Sequence, residues 1–263
     1  MGMGPGHPAK RERRVGGRLD DTVAVVTGGA QGIGECIATR FAREGARVLV
    51  GDLQEAKAGR VAAALRDEGL DVEAAPLDIR EPDSAASLMA RGVERWGCVD
   101  VLVNNAGLDA PPGLPWAIGE DEWREVIETD LSGPWWCTRA VLPHMMERRH
   151  GRIIFISSGS ARIGASEISV AYNAAKAGVV GLTVGLAVHL EPYGILVNAV
   201  APGPTGTGTP MTPEERAAHE RDFPLGIVGP EPVAQACLYL TAESGNWVSG
   251  SVLNVSGGWW RGF

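Results

Sequence analysis

Thr22-Val23-Ala24-Val25-Val26-Thr27-Gly28-Gly29-Ala30-Gln31-Gly32-Ile33-Gly34 is the stretch on which the reading of this chain turns. Val23 to Val26 form an uninterrupted apolar run without polar alternation, the pattern of a strand covered on both faces. Glycines follow at once, and a helix-forming segment from Ile33 to Arg43 follows them. A strand entering a glycine-rich turn that opens a helix is a phosphate cradle. The glycines let the backbone approach a pyrophosphate, and the unpaired N–H groups of the helix start attract the anion. Gly28, Gly32 and Gly34 are spaced GxxxGxG rather than GxGxxG. A tight turn alone would account for two of them, so the cradle reading rests on the strand–turn–helix context and on an acid further along.

That acid is Asp52, 18 positions after Gly34 at the end of the next apolar run. A carboxylate there accepts hydrogen bonds from ribose hydroxyls and repels the 2′-phosphate that distinguishes NADP from NAD. Its competing role is to cap the following turn. Gln31 is neutral where a phosphate-binding cation would sit, so both positions favour NAD.

The same rhythm continues outward. Thr22–Thr27, Arg47–Gly51, Val72–Leu77, Val99–Val103, Arg152–Ile156, Ile195–Val200 and Ser251–Val255 read as seven strands. Ile33–Arg43, Glu55–Asp67, Asp83–Arg95, Trp123–Arg148, Asn173–Leu190 and Pro232–Leu240 read as helices between them. Strand and helix alternation of this kind predicts an α/β fold, a single doubly wound domain whose seven-stranded parallel sheet carries helices on both faces. Gly133 and Pro134 are expected to kink or break the fourth helical segment. Residues 204–226 form the one long irregular stretch and are expected to serve as a substrate lid.

Composition narrows the function. The 263 residues include 32 acidic and 24 basic side chains, a net charge of −8 that argues against nucleic acid as a partner. Lys10, Arg11, Arg13, Arg14 and Arg18 against Glu12 make residues 1–18 a basic tail beside a domain of residues 19–263. Cys36, Cys98, Cys137 and Cys237 are scattered, without CxxC pairs or histidines at metal spacing. Neither a metal site nor a disulfide framework is implied, and the chain is expected to be cytoplasmic and free of membrane.

Tyr172 and Lys176 stand four apart, on one face of a helix. A phenol is a poor base near neutral pH, and a neighbouring ammonium favours its phenolate form. Such pairs also occur by chance on helices. Ser158, 14 residues earlier and just after the fifth strand, sharpens the reading, because its hydroxyl can hold a substrate oxygen.

With these residues assembled, the chain resembles the short-chain dehydrogenase/reductase family. The resemblance is carried by the TGxxxGIG loop, Asn104-Asn105-Ala106-Gly107, Ser157-Ser158, Tyr172-xxx-Lys176, Asn198 to Gly203, and Val255-Ser256-Gly257-Gly258-Trp259. It implies a Rossmann-type catalytic domain and hydride transfer between nicotinamide and a secondary alcohol or ketone. Tyr172 would be the general acid/base, Lys176 would hold the nicotinamide ribose, and Ser158 would orient the substrate oxygen. The cofactor, NAD, would lie against Gly28, Gln31, Gly32, Ile33, Gly34, Asp52 and Leu53 at one end. Asp78, Ile79, Asn105, Ala106, Gly107, Pro202, Gly203, Thr205 and Thr207 would complete its site. Relatives are commonly homotetramers, with Trp135, Trp136, Trp259 and Trp260 as expected contacts. Trp116, Met211 and Phe223 are expected to make the substrate pocket apolar.

One departure from the family pattern carries a consequence. Asp130 stands where the family has the Asn that completes its catalytic group. A carboxylate beside Lys176 offsets the ammonium charge and so favours the phenolate of Tyr172 less, which predicts an alkaline optimum for alcohol oxidation. Two other functions fit the motifs: an NADP-dependent 3-oxoacyl-thioester reductase, and an NAD-binding sensor without catalysis.

Overall fold

Every strand except the third and the last, the two at the sheet edges, presents nearly continuous buried residues, and the parallel sheet they form explains why. The computed structural model describes residues 16–108, 114–164, 168–206, 212–214, 217, 223, 225–227 and 229–261. The strands are β1 (Val23–Thr27), β2 (Arg47–Asp52), β3 (Val72–Pro76), β4 (Val101–Asn104), β5 (Gly151–Ile156), β6 (Ile195–Pro202) and β7 (Val252–Val255). They pair in the order β3-β2-β1-β4-β5-β6-β7, all parallel, as the seven apolar runs predict. Successive residues of one strand feed opposite cores. Val26 and Val50 face one with Ile37, Phe41, Ala58 and Cys237, while Val25 and Leu49 face the other with Leu88, Val141, Met145 and Val179.

The helices are α1 (Gly32–Arg43), α2 (Glu55–Asp67), α3 (Pro82–Trp96), α4 (Glu120–Ile127), α5 (Gly133–Arg148), α6 (Ser160–Ile163), α7 (Val170–Leu190) and α8 (Glu231–Thr241). Local chemistry sets their ends. Pro82 opens α3 where its missing N–H costs nothing, and Gly97 closes it in a left-handed conformation, φ 82°. Asp83 and Asp121 sit in first turns, where a carboxylate opposes the positive end of the helix dipole.

The fourth helical segment departs from expectation. Its interruption is a π-turn at Glu128–Ser132, one turn before Gly133-Pro134, and Gly133 N bonds the Glu128 carbonyl five residues back. Pro134 has no N–H for the carbonyl of residue 130, so the chain widens ahead of it rather than kinking at it. A second difference concerns the tail. Arg18 belongs to the domain, because its guanidinium binds the Glu44 carboxylate at 2.7 and 3.1 Å. Residues 1–15 lie outside the described residues.

Val170–Tyr193, with mean hydropathy 1.3, is long and apolar enough to cross a membrane by length and composition. Its inner side rests on the sheet, where Val179, Ala187 and Leu190 pack with Ile195 and Val197. One third of the apolar window is buried, and Val184 and Val188 are exposed.

β1 pairs with β2 on one side and β4 on the other. Connections leave in opposite directions from this point, and a crevice opens at the carboxyl ends of the strands.

Candidate active site

The crevice is a cleft of about 820 Å³ running from Gly28 and Asp52 to Ser158, Tyr172 and Trp259. At its first end the wall is largely backbone. Gly28 adopts φ 65°, and a Cβ there would lie 2.7 Å from Ala106 Cα. A side chain on Gly34 would collide with the Gly28 carbonyl oxygen. Helix α1 therefore starts hard against the loop, with its free N–H groups at the cleft. Asn105 bolts the assembly, its amide donating to the Thr27 and Gly28 carbonyls at 3.0 Å each. Thr27 Oγ1 accepts from the backbone N–H of Asn105 and of Ala106, each at 3.0 Å.

Asp52 performs the capping role considered for it and also ties the glycine loop. Its carboxylate accepts from Gln54 N at 2.8 Å, capping the turn, and from Ala30 N at 2.9 Å, steadying the loop. Each oxygen keeps acceptor capacity on the cleft side. Beyond it, Arg80 clasps Asp78 at 2.6 and 2.9 Å, and this bonding holds the Asp78 carboxyl below its usual range. Lys57 reaches from α2 to the side-chain oxygen of Gln31, so a cation does stand beside the position read as neutral. These features suit a dinucleotide: a cradle without Cβ atoms, a helix start for its pyrophosphate, and acceptors for its sugar.

At the other end the wall is made of side chains. Lys176 is buried beneath Tyr172, its Nζ 5.3 Å from the ring centroid. The ammonium donates to Asp130 Oδ1 at 3.1 Å and to the Ile156 carbonyl at 3.3 Å. Asp130, fully buried in the π-turn, also accepts Leu108 N at 3.1 Å. Gly107 lies directly against this pair, and a side chain there would collide with Asp130 Oδ1. Ser157 spends its hydroxyl on the Lys176 carbonyl at 2.9 Å. Ser160 donates its N–H and hydroxyl to Ser158 Oγ at 3.2 and 2.9 Å. Ser158 thus keeps its own proton for an acceptor in the cleft.

Seventeen residues singled out from sequence meet in this cleft: Gly28, Gln31, Gly32, Ile33, Asp52, Leu53, Asp78, Ile79, Asn105, Ala106, Gly107, Ser158, Tyr172, Lys176, Pro202, Gly203 and Thr205. Gly34 stands behind the loop and Asp130 behind Gly107, so neither lines it. Thr207 and Met211 lie outside the described residues, as does most of the expected lid.

The aromatic expectations need correction. Trp116 is 82% exposed. Trp260 is buried against its own chain, and Trp259 lines the cleft rather than the outer surface. A signal for Trp259 was available: it follows the turn after β7, at the carboxyl edge of the sheet where sites form.

The family model for short chain dehydrogenases matches residues 22–220. The chain is a short-chain dehydrogenase/reductase. Its sequence is 40% identical over 250 residues to the cis-4-hydroxycyclohexanecarboxylate dehydrogenase of Sinomonas cyclohexanicum, spanning 93% of this chain and 99% of that one. It is 37% identical to the 3-oxoacyl-acyl-carrier-protein reductase FabG of Thermotoga maritima, over 92% and 98% of the two chains. The crystal structure of gox2181 superposes with a TM-score of 0.87 at 35% identity, covering 92% of this chain and 96% of that one. As a short-chain dehydrogenase/reductase, the protein is an oxidoreductase that binds a nicotinamide cofactor and acts on a small molecule.

Proposed function

We infer that this short-chain dehydrogenase/reductase is an NAD-dependent dehydrogenase of secondary alcohols, working through Tyr172. The observation that carries the reading is Tyr172 at the cleft with the buried Lys176 ammonium beneath its ring and the Ser158 hydroxyl in the same wall. A sensor needs the cradle but has no use for this proton-transfer group.

A bound nicotinamide would supply the hydride acceptor, held by the glycine loop, Asp52 and Lys176. Ser158 donates to the substrate oxygen and orients it. Tyr172 takes the hydroxyl proton at its phenol oxygen as the alcohol is oxidised and returns one when a ketone is reduced. Lys176 places a positive charge beneath the phenol, and Asp130, 3.1 Å from the ammonium, offsets it. This balance underlies the alkaline optimum proposed for oxidation.

Asp52 supports NAD over NADP. Lys57 beside Gln31 supports the second reading, an NADP-dependent 3-oxoacyl-thioester reductase, as does the similarity to FabG of Thermotoga maritima. The similarity to a hydroxycyclohexanecarboxylate dehydrogenase supports an alcohol on a carbon skeleton without thioester. A cytoplasmic homotetramer completes the proposal, its self-association supported by half-buried Trp135 and Trp136 on α5 and by Val184 and Val188 exposed on α7.

Reduced-nicotinamide absorbance with NAD and NADP in parallel tests this, over secondary alcohols and 3-oxoacyl thioesters. We expect turnover with NAD and an alcohol, and a loss of at least about a thousandfold in Tyr172→Phe. Preference for NADP with a thioester would select the second reading, and equal turnover by Tyr172→Phe would refute both.

A further inference from the structure

The cleft's charges are unevenly distributed. Asp52, Asp78 and Arg80 line the cradle end, and Glu125 acts electrostatically on Arg80 there. The described lining that includes Ser158 and Tyr172 also holds the apolar Leu108, Ile168, Pro204 and Trp259 beside the polar Thr129 and Thr205, with Lys176 buried beneath Tyr172. Trp259 is the largest apolar side chain in the described lining, and it is fixed in place from several directions.

The benzo edge of its indole rests on Gly159, immediately after Ser158. A Cβ at Gly159 would come within 2.9 Å of Trp259 Cε3 and 3.1 Å of Cζ3. Phe223 packs against the indole with ring centroids 5.4 Å apart and planes tilted 55°. On either side the backbone is tied down: Trp259 N bonds the Ser256 carbonyl at 3.2 Å and Trp260 N bonds Ser256 Oγ at 3.1 Å. Asn254 donates to the Trp260 carbonyl at 2.8 Å, and the Arg162 guanidinium sits 5.4 Å over the Trp260 ring. The serine loop itself is held by Gly159 N donating to the Pro202 carbonyl at 2.8 Å. A rigid, flat aromatic wall stands next to the hydroxyl that is to hold the reacting oxygen. Such a wall makes extended contact with a compact ring and little with a flexible chain, which must also lose rotamer freedom to lie against it.

We propose that Trp259 is a specificity-determining residue that selects substrates whose oxygen-bearing carbon belongs to, or is attached directly to, a six-membered carbon ring. Gly159 is part of the same device, because only a residue without a side chain lets the indole seat beside Ser158. This rests on the alcohol dehydrogenase reading above, and the test separates the two. A ketone added to the enzyme with oxidised NAD cannot react, so binding is measured without turnover.

By calorimetry, the NAD complex is titrated with cyclohexanone and with 2-heptanone. Expected is a cyclohexanone affinity at least tenfold above that for 2-heptanone. Trp259→Ala should lose this preference by weakening cyclohexanone at least tenfold and 2-heptanone less than twofold. Gly159→Ala should reproduce the loss, Trp259→Phe should retain most of the preference, and Trp259→Leu should not. Thermal melts identify any variant that fails to fold, and the remaining ones decide. Equal weakening of both ketones overturns the proposal in favour of a role in supporting the serine loop. Unchanged binding in the folded variants, or no wild-type preference, overturns it outright. If the preference appears but no alcohol is oxidised, Trp259 keeps its role and the catalytic reading falls.

Discussion

The two ends of the cleft are built from different material. At the cradle end Gly28 and Gly34 bring backbone against backbone by lacking side chains, and the Asn105 amide and Thr27 hydroxyl pin that contact. At the other end Ser158, Tyr172, Lys176, Asp130 and Trp259 converge from the loop after β5, α7, the π-turn and the turn after β7. The first end is specified by steric room, which tolerates almost no substitution. The second is specified by charge and surface, which can be tuned in steps.

The contrast is open to measurement. Its largest expected effect is at Gly34, where Ala places a Cβ on the Gly28 carbonyl with no flexible neighbour to yield. NAD affinity should fall at least about a hundredfold, with a loss of stability of roughly 1–3 kcal/mol from overpacking. Tight NAD binding by a well-folded Gly34→Ala protein would show that the cradle has slack.

Asp100 provides a control far from both ends. Burial alone would raise its carboxyl, but Val23 N at 2.9 Å and Arg148 at 2.7 Å hold it below the ordinary range. A depressed folded-state value stabilises the fold above the unfolded value, near pH 4, and that contribution fades as pH falls through the folded value. Asp100→Asn should therefore cost about 2 kcal/mol at neutral pH, with the deficit closing below about pH 4, as denaturant titration at several pH values would reveal. The pH–rate profile should keep its shape. A constant deficit down to pH 2 would remove the charge from the explanation.

The smallest effect is expected at Asp130. Replacing it with Asn removes a charge 3.1 Å from Lys176 while preserving shape. The alkaline limb of alcohol oxidation should move to lower pH. An unmoved profile would mean that the carboxylate does no more than position the ammonium.

Much of this was legible along the chain because the relevant signals are local. Continuous runs such as Val23–Val26 and Ile153–Ile156 marked strands covered on both faces, and the glycines after β1 marked the cradle. What escaped depends on distance or competition. Trp259 meets Gly159 across 100 positions, and no periodicity reports that contact. Lys57 reaches Gln31 from the following helix, which a reading of either position alone misses. Gly133-Pro134 marks an interruption between α4 and α5 in the sequence, but the missing N–H acts on carbonyls a turn earlier.

That π-turn also sets how the gene can change. Its five residues, Glu128–Ser132, hold one residue more than an α-helical turn would use, so it behaves as an insertion accommodated within a helix. Deleting one of them would restore regular α-helix and leave the helix beyond in the same phase, with Cys137, Val141 and Met145 still on the sheet. The damage would fall on the wide turn that carries Asp130, so a single-codon deletion here would spare the core and disturb the ion pair.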